Sequence, residues 1–335
     1  MKHVWILLFI SIIFDACSEN PNQKNKEAFP VLTGDYLGQE LPDTIPRLFA
    51  PGIIGTGMYT RDVAISPDGN EFYYCVSIAS YTYTAILYSK RVDGIWSKPE
   101  ILPFCDQLDQ LNFEPALSPD GQRLYFLSAR PNGDEPAGNQ DIWYAEKNGN
   151  SWSEPVNLGP PVNTEHAEYF PSLTTDGTLY FTRAERGSRE NKIYRSKLID
   201  GQYQEPELLP KQVNCGTNRF NAFIAQDESY IIVPAAGMEN SYGDVDYFIS
   251  FRDENDNWSD PVNMGPAINS IAQGEWSPFI TPDGKYFFFM SNRTRDTLPA
   301  ISDWQDLLRF HNQSQNGNSD IYWVSAGIIE RLKNK

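Results

Sequence analysis

Short apolar segments alternate with polar turns along most of the chain, and one such unit recurs. In residues 118–131, SPDGQRLYFLSARP, a Ser-Pro-Asp-Gly turn is followed by a short apolar strand. A repeat of roughly this length predicts successive supersecondary units rather than one irregular domain. The aspartates that mark the turns are 51 to 56 residues apart, at Asp68, Asp120, Asp176, Asp227 and Asp283.

Each repeat predicts four short strands. In the second repeat they are EPALS before the turn, the apolar strand after it, DIWYAEK at 141–147 and WSEPVNL at 152–158. The second strand is almost continuously apolar, as expected for a strand buried on both faces. The proline of the fourth strand indicates an edge, where a missing N–H costs little. Four antiparallel strands per repeat form the blade of a β-propeller, so we predict an all-β fold.

The predicted propeller has five blades and closes through its N-terminal segment. The fifth repeat ends at its third strand, DIYWVSA at 320–326, with only GIIERLKNK after it. The missing strand is found in IPRLFAP at 45–51, which matches EPVNLGP at 154–160 with both prolines at the same offset. Closure would remove the two sheet edges that an open array leaves exposed. A sixth blade would need the tether or an insertion to contain another repeat.

The chain before the repeats predicts processing and attachment. An apolar run of eleven residues, 4–14, follows a short basic start and is too short to cross a bilayer as a helix, which needs roughly 20. It ends in Phe14-Asp15-Ala16-Cys17, which resembles a bacterial lipobox. Residues 1–17 are therefore predicted to be a lipoprotein signal peptide with lipidation at Cys17, and a plain secretory signal is the alternative. Polar residues 18–42 predict a flexible tether, which leaves 43–335 for the propeller.

One insertion, 294–319, interrupts the fifth repeat and contains a helical pattern. In SDWQDLLRFHNQ, Ser302 is the expected N-cap, and Trp304, Leu307 and Leu308 follow helical spacing. The apolar side of this helix needs a surface to contact. It either covers the mouth of the channel as a lid or packs on the rim of the propeller.

Two repeats carry the sequence features of a known family. Over residues 45–330 the pattern resembles the WD40-like repeats of TolB-type β-propellers, and a single propeller behind a lipobox is similar to lipoproteins of Bacteroidetes-type bacteria. The resemblance implies the fold but no particular activity, since such propellers serve many functions. The residues that carry it are Ser128-Ala129-Arg130, Asp141-Ile142-Trp143, Ser291-Asn292-Arg293 and Asp320-Ile321-Tyr322.

Arginines end several second strands and aspartates begin several third strands. We expect Arg–Asp pairs that clamp these two strands within a blade, because a guanidinium and a carboxylate can form two parallel hydrogen bonds. Binding of an anion by the arginines is the alternative. The arginines are Arg130, Arg183 and Arg293, and the aspartates are Asp141, Asp246 and Asp320.

Composition narrows the function classes. A formal charge of −17 argues against nucleic acid, because phosphate binding needs a basic surface. Only two histidines, His166 and His311, remain after the leader, and no Gly-x-Ser-x-Gly, HExxH or phosphate-loop motif occurs. The sequence therefore offers few candidate residues for histidine- or metal-based catalysis. Cys75, Cys105 and Cys215 form no CxxC pair, so no zinc site is predicted, and Cys105 and Cys215 are not expected to pair across non-adjacent repeats. No cofactor is expected, although a divalent cation in the channel is an open alternative.

The candidate site lies on the face with the long connections, because loops on a rigid scaffold commonly carry binding sites. Residues entering each first strand should surround the central channel there. Their aromatic, acidic and basic side chains suit a sugar, a peptide or a divalent cation. In the structural alternative, the aromatics pack between blades and the charges pair. The candidate ligand-binding residues are Arg61, Asp62, Phe113, Glu114, Glu168, Tyr169, Arg219, Phe220, Glu275 and Trp276.

These features predict a lipid-anchored propeller of the cell envelope, attached to the outer membrane through Cys17 only. It is expected to act as a monomeric, non-catalytic module that binds an envelope protein or a peptidoglycan-related component. The alternative is a carbohydrate-binding or glycoside-hydrolysing propeller with Asp62, Glu114 and Glu168 as its carboxylates. Hydrolysis would need carboxyl groups roughly 5 to 9.5 Å apart across an open cleft.

Overall fold

The computed structural model describes residues 28–133, 138–272 and 274–333, and it confirms the all-β propeller. Five antiparallel blade sheets follow one another along the compact unit Leu32–Lys335, one for each repeat. The propeller therefore has five blades. The predicted signal peptide, Cys17 and residues 18–27 of the predicted tether lie outside the described residues.

Blades 1 and 2 have the predicted strand order, and their outer edge is split into two short strands. The split occurs at Pro99 and Pro155, which lack the N–H that would continue the ladder. Blade 1 consists of Tyr59–Ile65, Glu71–Ile78, Tyr83–Val92, Ile95–Trp96 and Glu100–Ile101. Blade 2 consists of Phe113–Leu117, Arg123–Ser128, Asp141–Asn148, Ser151–Trp152 and Val156–Asn157.

Blades 3 to 5 repeat this order with local differences. Blade 3 consists of Ala167–Leu173, Leu179–Ala184, Asn191–Ser196 and Glu207–Leu208, with a small hairpin of Leu198–Ile199 and Gln202–Tyr203. Blade 4 has a first strand in two pieces, and its strands are Asn218–Arg219, Phe223–Ile224, Tyr230–Ala236, Val245–Phe251 and Val262–Asn263. Blade 5 consists of Phe279–Ile280, Tyr286–Ser291, Asp320–Ser325 and, from the N-terminal segment, Arg47–Leu48.

The N-terminal segment closes the ring as predicted. Arg47–Leu48 pairs antiparallel with the third strand of blade 5. The next residue, Phe49, is fully buried. Its ring centroid lies 4.9 Å from that of Phe72 in blade 1, and 5.0 Å and 5.2 Å from those of Phe288 and Trp323 in blade 5. One apolar cluster therefore joins the first and last blades across the closure.

The second half of the predicted tether belongs to the folded unit, which corrects the boundary at residue 42. Leu32–Thr33 pairs with Ile95–Trp96 at the outer edge of blade 1, and Leu37 is fully buried. These apolar residues stand singly within a polar stretch, so no periodic pattern indicated that they pack.

The insertion contains the predicted helix, Trp304–His311, but the helix lies at the rim of the propeller. Its N-cap is Asp303, whose side chain accepts a hydrogen bond from the Asp306 amide; Ser302, the predicted cap, is one residue earlier. The C-terminal end of the helix contacts Gly57, where a Cβ would lie 2.5 Å from a helix carbonyl oxygen. No helix residue lines the mouth of the channel. The arrangement corresponds to the rim alternative rather than the lid.

The remaining helices are short. A second α-helix, Gly327–Lys333, packs Ile328, Ile329 and Leu332 into the apolar cluster of blades 4 and 5. Within the described ranges, no helix has the length and apolar character needed to cross a membrane. The 3-10 helices are Tyr36–Gly38, Pro103–Cys105 and Leu108–Gln110.

The three cysteines of the folded unit are buried and free. Burial raises the pKa of the Cys105 thiol to about 12 and that of Cys215 to about 11, and it raises the pKa of Cys75 well above its usual value. Thiols with such pKa values stay protonated at neutral pH and react slowly. These cysteines therefore act as small apolar core residues.

Candidate functional site

One residue in or next to the first strand of every blade has a left-handed backbone, and these residues meet at the channel axis. In blades 1 to 3 the residue lies at a β-bulge between the first and second strands, and a bulge redirects a side chain. This conformation costs a non-glycine residue roughly 1–2 kcal/mol. We call the five the axial residues: Asp62, Glu114, Phe170, Asn221 and Ser277, with φ of 54°, 61°, 53°, 22° and 63°.

Arg61, which precedes the first axial residue, joins the axial residues of three blades. Its Nε donates to Asp62 Oδ1 at 2.9 Å, and its Nη2 donates to Glu114 Oε1 at 2.9 Å and to Ser277 Oγ at 3.2 Å. The Ser277 hydroxyl donates to Asp62, and Asn221 Nδ2 donates to Glu114 Oε1 at 2.9 Å. Each of these residues is at most 8% exposed. We call this set of hydrogen bonds the axial network.

Backbone amides complete the axial network. The Glu114 amide donates to Asp62 Oδ2 at 3.2 Å, and the Phe170 amide donates to Glu114 Oε2 at 2.7 Å. The left-handed conformation thus directs the amide of one blade at the carboxylate of the blade before it. These bonds satisfy buried carboxylate oxygens, which would otherwise be costly to bury, and they offset part of the backbone strain. Every blade contributes at least one group.

Burial and the neighbouring charges set the ionisation of this network. Burial raises the pKa of Glu114 to about 7, while the Arg61 guanidinium lowers it and the Asp62 carboxylate raises it further. Burial acts to lower the pKa of Arg61, but the Asp62 and Glu114 carboxylates more than compensate, and that pKa is raised overall. Arg61 therefore stays charged, and Glu114 exchanges its proton near neutral pH.

We expect the stability of the protein to fall as the pH rises from about 4.5 to about 7, in part through Glu114. Its carboxyl has a folded-state pKa of about 7 against an ordinary value of 4.5, so the folded state holds the proton more tightly than the unfolded chain. The resulting stabilisation is complete below pH 4.5 and is lost as the pH passes through 7. At about 1.4 kcal/mol per pKa unit, the loss is on the order of 3 kcal/mol.

Urea unfolding of the wild type and of Glu114→Gln at pH 4.5, 6 and 7.5 measures this effect. The variant cannot titrate at position 114, so its free energy of unfolding should fall less over this range than that of the wild type. Any hydrogen bonds lost in the variant shift its values by a similar amount at every pH. Parallel pH profiles for the two proteins would show that Glu114 does not titrate in the folded state.

The residues just before the axial ones line an open pocket on the loop face. It encloses about 310 Å³, and we call it the mouth pocket. The Arg61 guanidinium carbon lies 5.2 Å from the centroid of the Phe113 ring, and the rings of Phe220 and Trp276 meet edge to face at 6.3 Å. The five residues, all predicted as candidates, are Arg61, Phe113, Tyr169, Phe220 and Trp276.

Two further residues of the mouth pocket, Tyr81 and Gln140, come from connections between second and third strands. Tyr81 follows Ala79 and Ser80, and all three have left-handed backbones, with φ of 53°, 52° and 72° in chain order. Such strain in successive non-glycine residues is commonly found at functional sites. The Tyr81 hydroxyl donates to that of Tyr59 at 2.6 Å. Sequence reasoning missed both residues because these connections differ between repeats.

Below the axial network, the channel continues toward the opposite face as a small apolar space. It encloses about 60 Å³ and is lined by residues such as Val63, Pro115 and Phe170. The mouth pocket is therefore blind, with the axial network as its floor.

Glu168 and Glu275, two predicted ligand-binding residues, lie within their blades instead of in the mouth pocket. Arg183 Nε donates to Glu168 Oε1 at 2.7 Å, and Arg293 Nη2 donates to Glu275 Oε1 at 2.9 Å. Burial raises the pKa of both carboxyls, although their hydrogen bonds and the arginines act against it. Glu168 and Glu275 point away from the mouth pocket although their neighbours Tyr169 and Trp276 line it, because successive side chains of a strand point to opposite faces.

These contacts also correct the predicted clamp. The arginine at the end of the second strand binds the residue that enters the first strand, as Arg293 binds Glu275 and Arg130 binds Asn112. Asp320 instead accepts a hydrogen bond from the Gln315 amide. The clamp therefore ties the second strand to the first.

Arg219, another predicted ligand-binding residue, is 4% exposed in blade 4 and lies outside the mouth pocket. Its Nη2 is 3.9 Å from Glu190 Oε2. Its Nε and Nη1 have no hydrogen-bond partner among the described residues. In blade 4 the guanidinium comes from the first strand, and its acidic neighbour Glu190 lies in the connection between the second and third strands of blade 3.

The described ranges contain no group of three or more acidic, histidine or cysteine side chains placed to hold a metal ion. In the channel, the Asp62 and Glu114 carboxylates are both bound by Arg61. Coordination of a divalent cation there would require displacing that guanidinium.

No protein-family model matches the sequence, and no curated protein matches it. Among solved structures, the chain is similar to TolB from Acinetobacter baumannii at 15% identity and a TM-score of 0.46, covering 80% of this chain and 57% of TolB, a little over half of its length. It is also similar to a thermostable family-43 glycoside hydrolase, at 13% identity, 81% and 91% coverage of the two chains and a TM-score of 0.49. A family-43 endo-arabinanase from Bacillus licheniformis gives 12% identity, 85% and 96% coverage and a TM-score of 0.47.

Proposed function

We propose that this protein is a non-catalytic binding module of the cell envelope, held at the outer membrane by a lipid on Cys17, and that it binds its ligand in the mouth pocket. The observation that carries the proposal is the contrast between the pocket and its floor. The pocket is open and lined by aromatic side chains. The carboxylates of Asp62 and Glu114 beneath it already accept hydrogen bonds from other groups of the protein.

The carboxylates of the hydrolytic alternative are poorly placed for proton transfer to a ligand. Asp62 and Glu114 both form ion pairs with Arg61, and each also accepts a hydrogen bond from a backbone amide. Glu168 is fully buried and bound to Arg183 and Thr164. A general acid or base must lie within hydrogen-bond reach of the substrate, and these carboxylates already have partners. This arrangement favours binding over hydrolysis.

Site-specific photo-crosslinking in cells that produce the protein tests the proposal. A photoreactive benzoylphenylalanine at position 81 lies at the mouth pocket, and the same residue at position 120, in a turn on the opposite face, is the matched control. We expect a crosslinked product, an envelope protein or a peptidoglycan fragment, from position 81 and not from position 120. Cys17→Ala in the position-81 protein should move it from the membrane to the soluble fraction and reduce the product.

Identical product patterns from both positions, or none from position 81, would contradict binding at the mouth pocket. If the Cys17→Ala protein stayed in the membrane fraction, only the lipid anchor would be contradicted, and binding at the mouth pocket would not be affected. The two parts of the proposal are therefore tested separately.

A further inference from the structure

The mouth pocket can receive only the end of a ligand. The axial network closes its floor, and the space beneath is limited to about 60 Å³. Its volume of about 310 Å³ is at the lower limit of small-molecule sites, which run from about 300 to 1,000 Å³. A polymer therefore cannot pass through the channel, and a terminal unit of small size fits.

The walls present flat aromatic surfaces. Gly274 allows the Trp276 ring to lie directly on the backbone, since a Cβ at this position would be 2.3 Å from the indole. Trp276 and Phe220 support each other edge to face, and Tyr81 is fixed by ring contacts with Tyr59 and Phe113. These side chains are held in place before a ligand arrives, which lowers the entropy lost on binding.

Polar groups in the mouth pocket lack partners within the described part of the protein. They are Arg61 Nη1, the Tyr169 hydroxyl, the Trp276 indole N–H and the Gln140 side-chain amide. All four can donate a hydrogen bond, the Tyr169 hydroxyl and the Gln140 amide can also accept one, and none of the four is a free carboxylate. A ligand with several hydroxyl groups would satisfy this set.

The charge of the floor gives little advantage to an ionic ligand. Arg61 faces two carboxyls, of which Glu114 is half-protonated near pH 7. The floor is therefore close to neutral, and Arg61 Nε and Nη2 already donate to the two carboxylates. The charge of −17 on the whole chain further disfavours an anionic ligand.

We propose that the mouth pocket binds the terminal residue of a neutral saccharide, with the sugar ring against Trp276 and its hydroxyls bonded to Arg61, Tyr169 and Gln140. Flat apolar faces with hydroxyls around the edge match the aromatic walls and the unpaired polar groups. The inference rests on the proposed binding function and specifies the ligand class at the same site.

Titration calorimetry with defined tetrasaccharides tests this inference on the mature protein. The neutral probes are β-1,4-linked glucose, xylose and mannose tetramers, and the charged probes are a galacturonate tetramer and a glucosamine tetramer. We expect at least one neutral probe to bind and both charged probes to bind at least tenfold more weakly. Trp276→Ala should weaken the neutral probe at least tenfold, and Tyr169→Phe should weaken it several-fold.

The matched control is Trp304→Ala, which removes a tryptophan that is 65% exposed on the rim helix; it should bind like the wild type. Thermal unfolding of each variant verifies that it is folded. Failure of every neutral probe overturns the saccharide inference, as does Trp276-dependent binding of only a charged probe. In either case, a crosslinked product from position 81 would still support the proposal that the mouth pocket binds a ligand.

Discussion

Arg61→Met is expected to destabilise the protein by about 3–5 kcal/mol at pH 7.5, the typical cost of removing one partner of a buried ion pair. The guanidinium is the only cation within hydrogen-bond distance of Asp62 and Glu114 among the described residues. Without it, two buried carboxyls would face each other across a channel of low polarity. Methionine retains similar length and apolar contact with Phe113, so the change mainly tests charge.

The loss should be smaller at pH 5, because Glu114 can then take up a proton instead of remaining a buried anion. Urea unfolding followed by tryptophan fluorescence at both pH values measures the effect. Arg123→Met is the matched control. Arg123 is 40% exposed and its partner Glu146 is 57% exposed, and such surface pairs contribute about 0–1 kcal/mol. Equal losses for the two variants would rule out a structural role for the axial network.

Phe49→Ala is expected to cost about 3–5 kcal/mol, the usual range for truncating a buried phenylalanine. Its ring fills the junction between blades 1 and 5, in contact with Phe72, Phe288 and Trp323. The cavity would weaken the segment that closes the ring. Because stability is not uniform within a protein, opening should begin at this junction.

Chemical denaturation gives the overall loss, and hydrogen exchange shows where the protein opens. In Phe49→Ala, amides of Arg47–Leu48 and of the third strand of blade 5 should exchange faster than those of blade 3. Ile45→Ala is the control in the same segment, because Ile45 is 76% exposed and its loss should change little. Uniform acceleration in all five blades would contradict the idea that closure is the weak point.

The repeat made the fold predictable because its signals are local. A turn aspartate, an aromatic strand and a proline-bearing edge each depend on residues close in sequence, and Phe49 could be placed through the two prolines that flank its segment. The burial of Leu37 and the pairing of Leu32–Thr33 were not predictable in the same way. Leu37 is a single apolar residue that is buried only because two blades lie beside it in the closed ring.

The candidate site was predicted in part. Alignment of the repeats identified the wall residues, including Trp276 and Tyr169, but strand alternation should have separated Glu168 from its neighbour Tyr169. Glu114 and Phe170 each precede a proline, which disfavours the right-handed helical region but favours extended backbone with negative φ, so this local signal did not indicate their left-handed conformation. The bonds of Arg61 to three blades had no such signal, since they join residues up to 216 positions apart.

Because a left-handed position recurs in all five blades, the side chains at the channel axis can be changed independently of the backbone that holds them. The same backbone conformation holds an aspartate, a glutamate, a phenylalanine, an asparagine and a serine, so the conformation does not depend on one residue type. A protein engineer could therefore treat these positions as a combinatorial library, varied jointly so that charges remain balanced. Selection from such a library could install new recognition at the centre of the ring while leaving the twenty-odd strands around it unchanged.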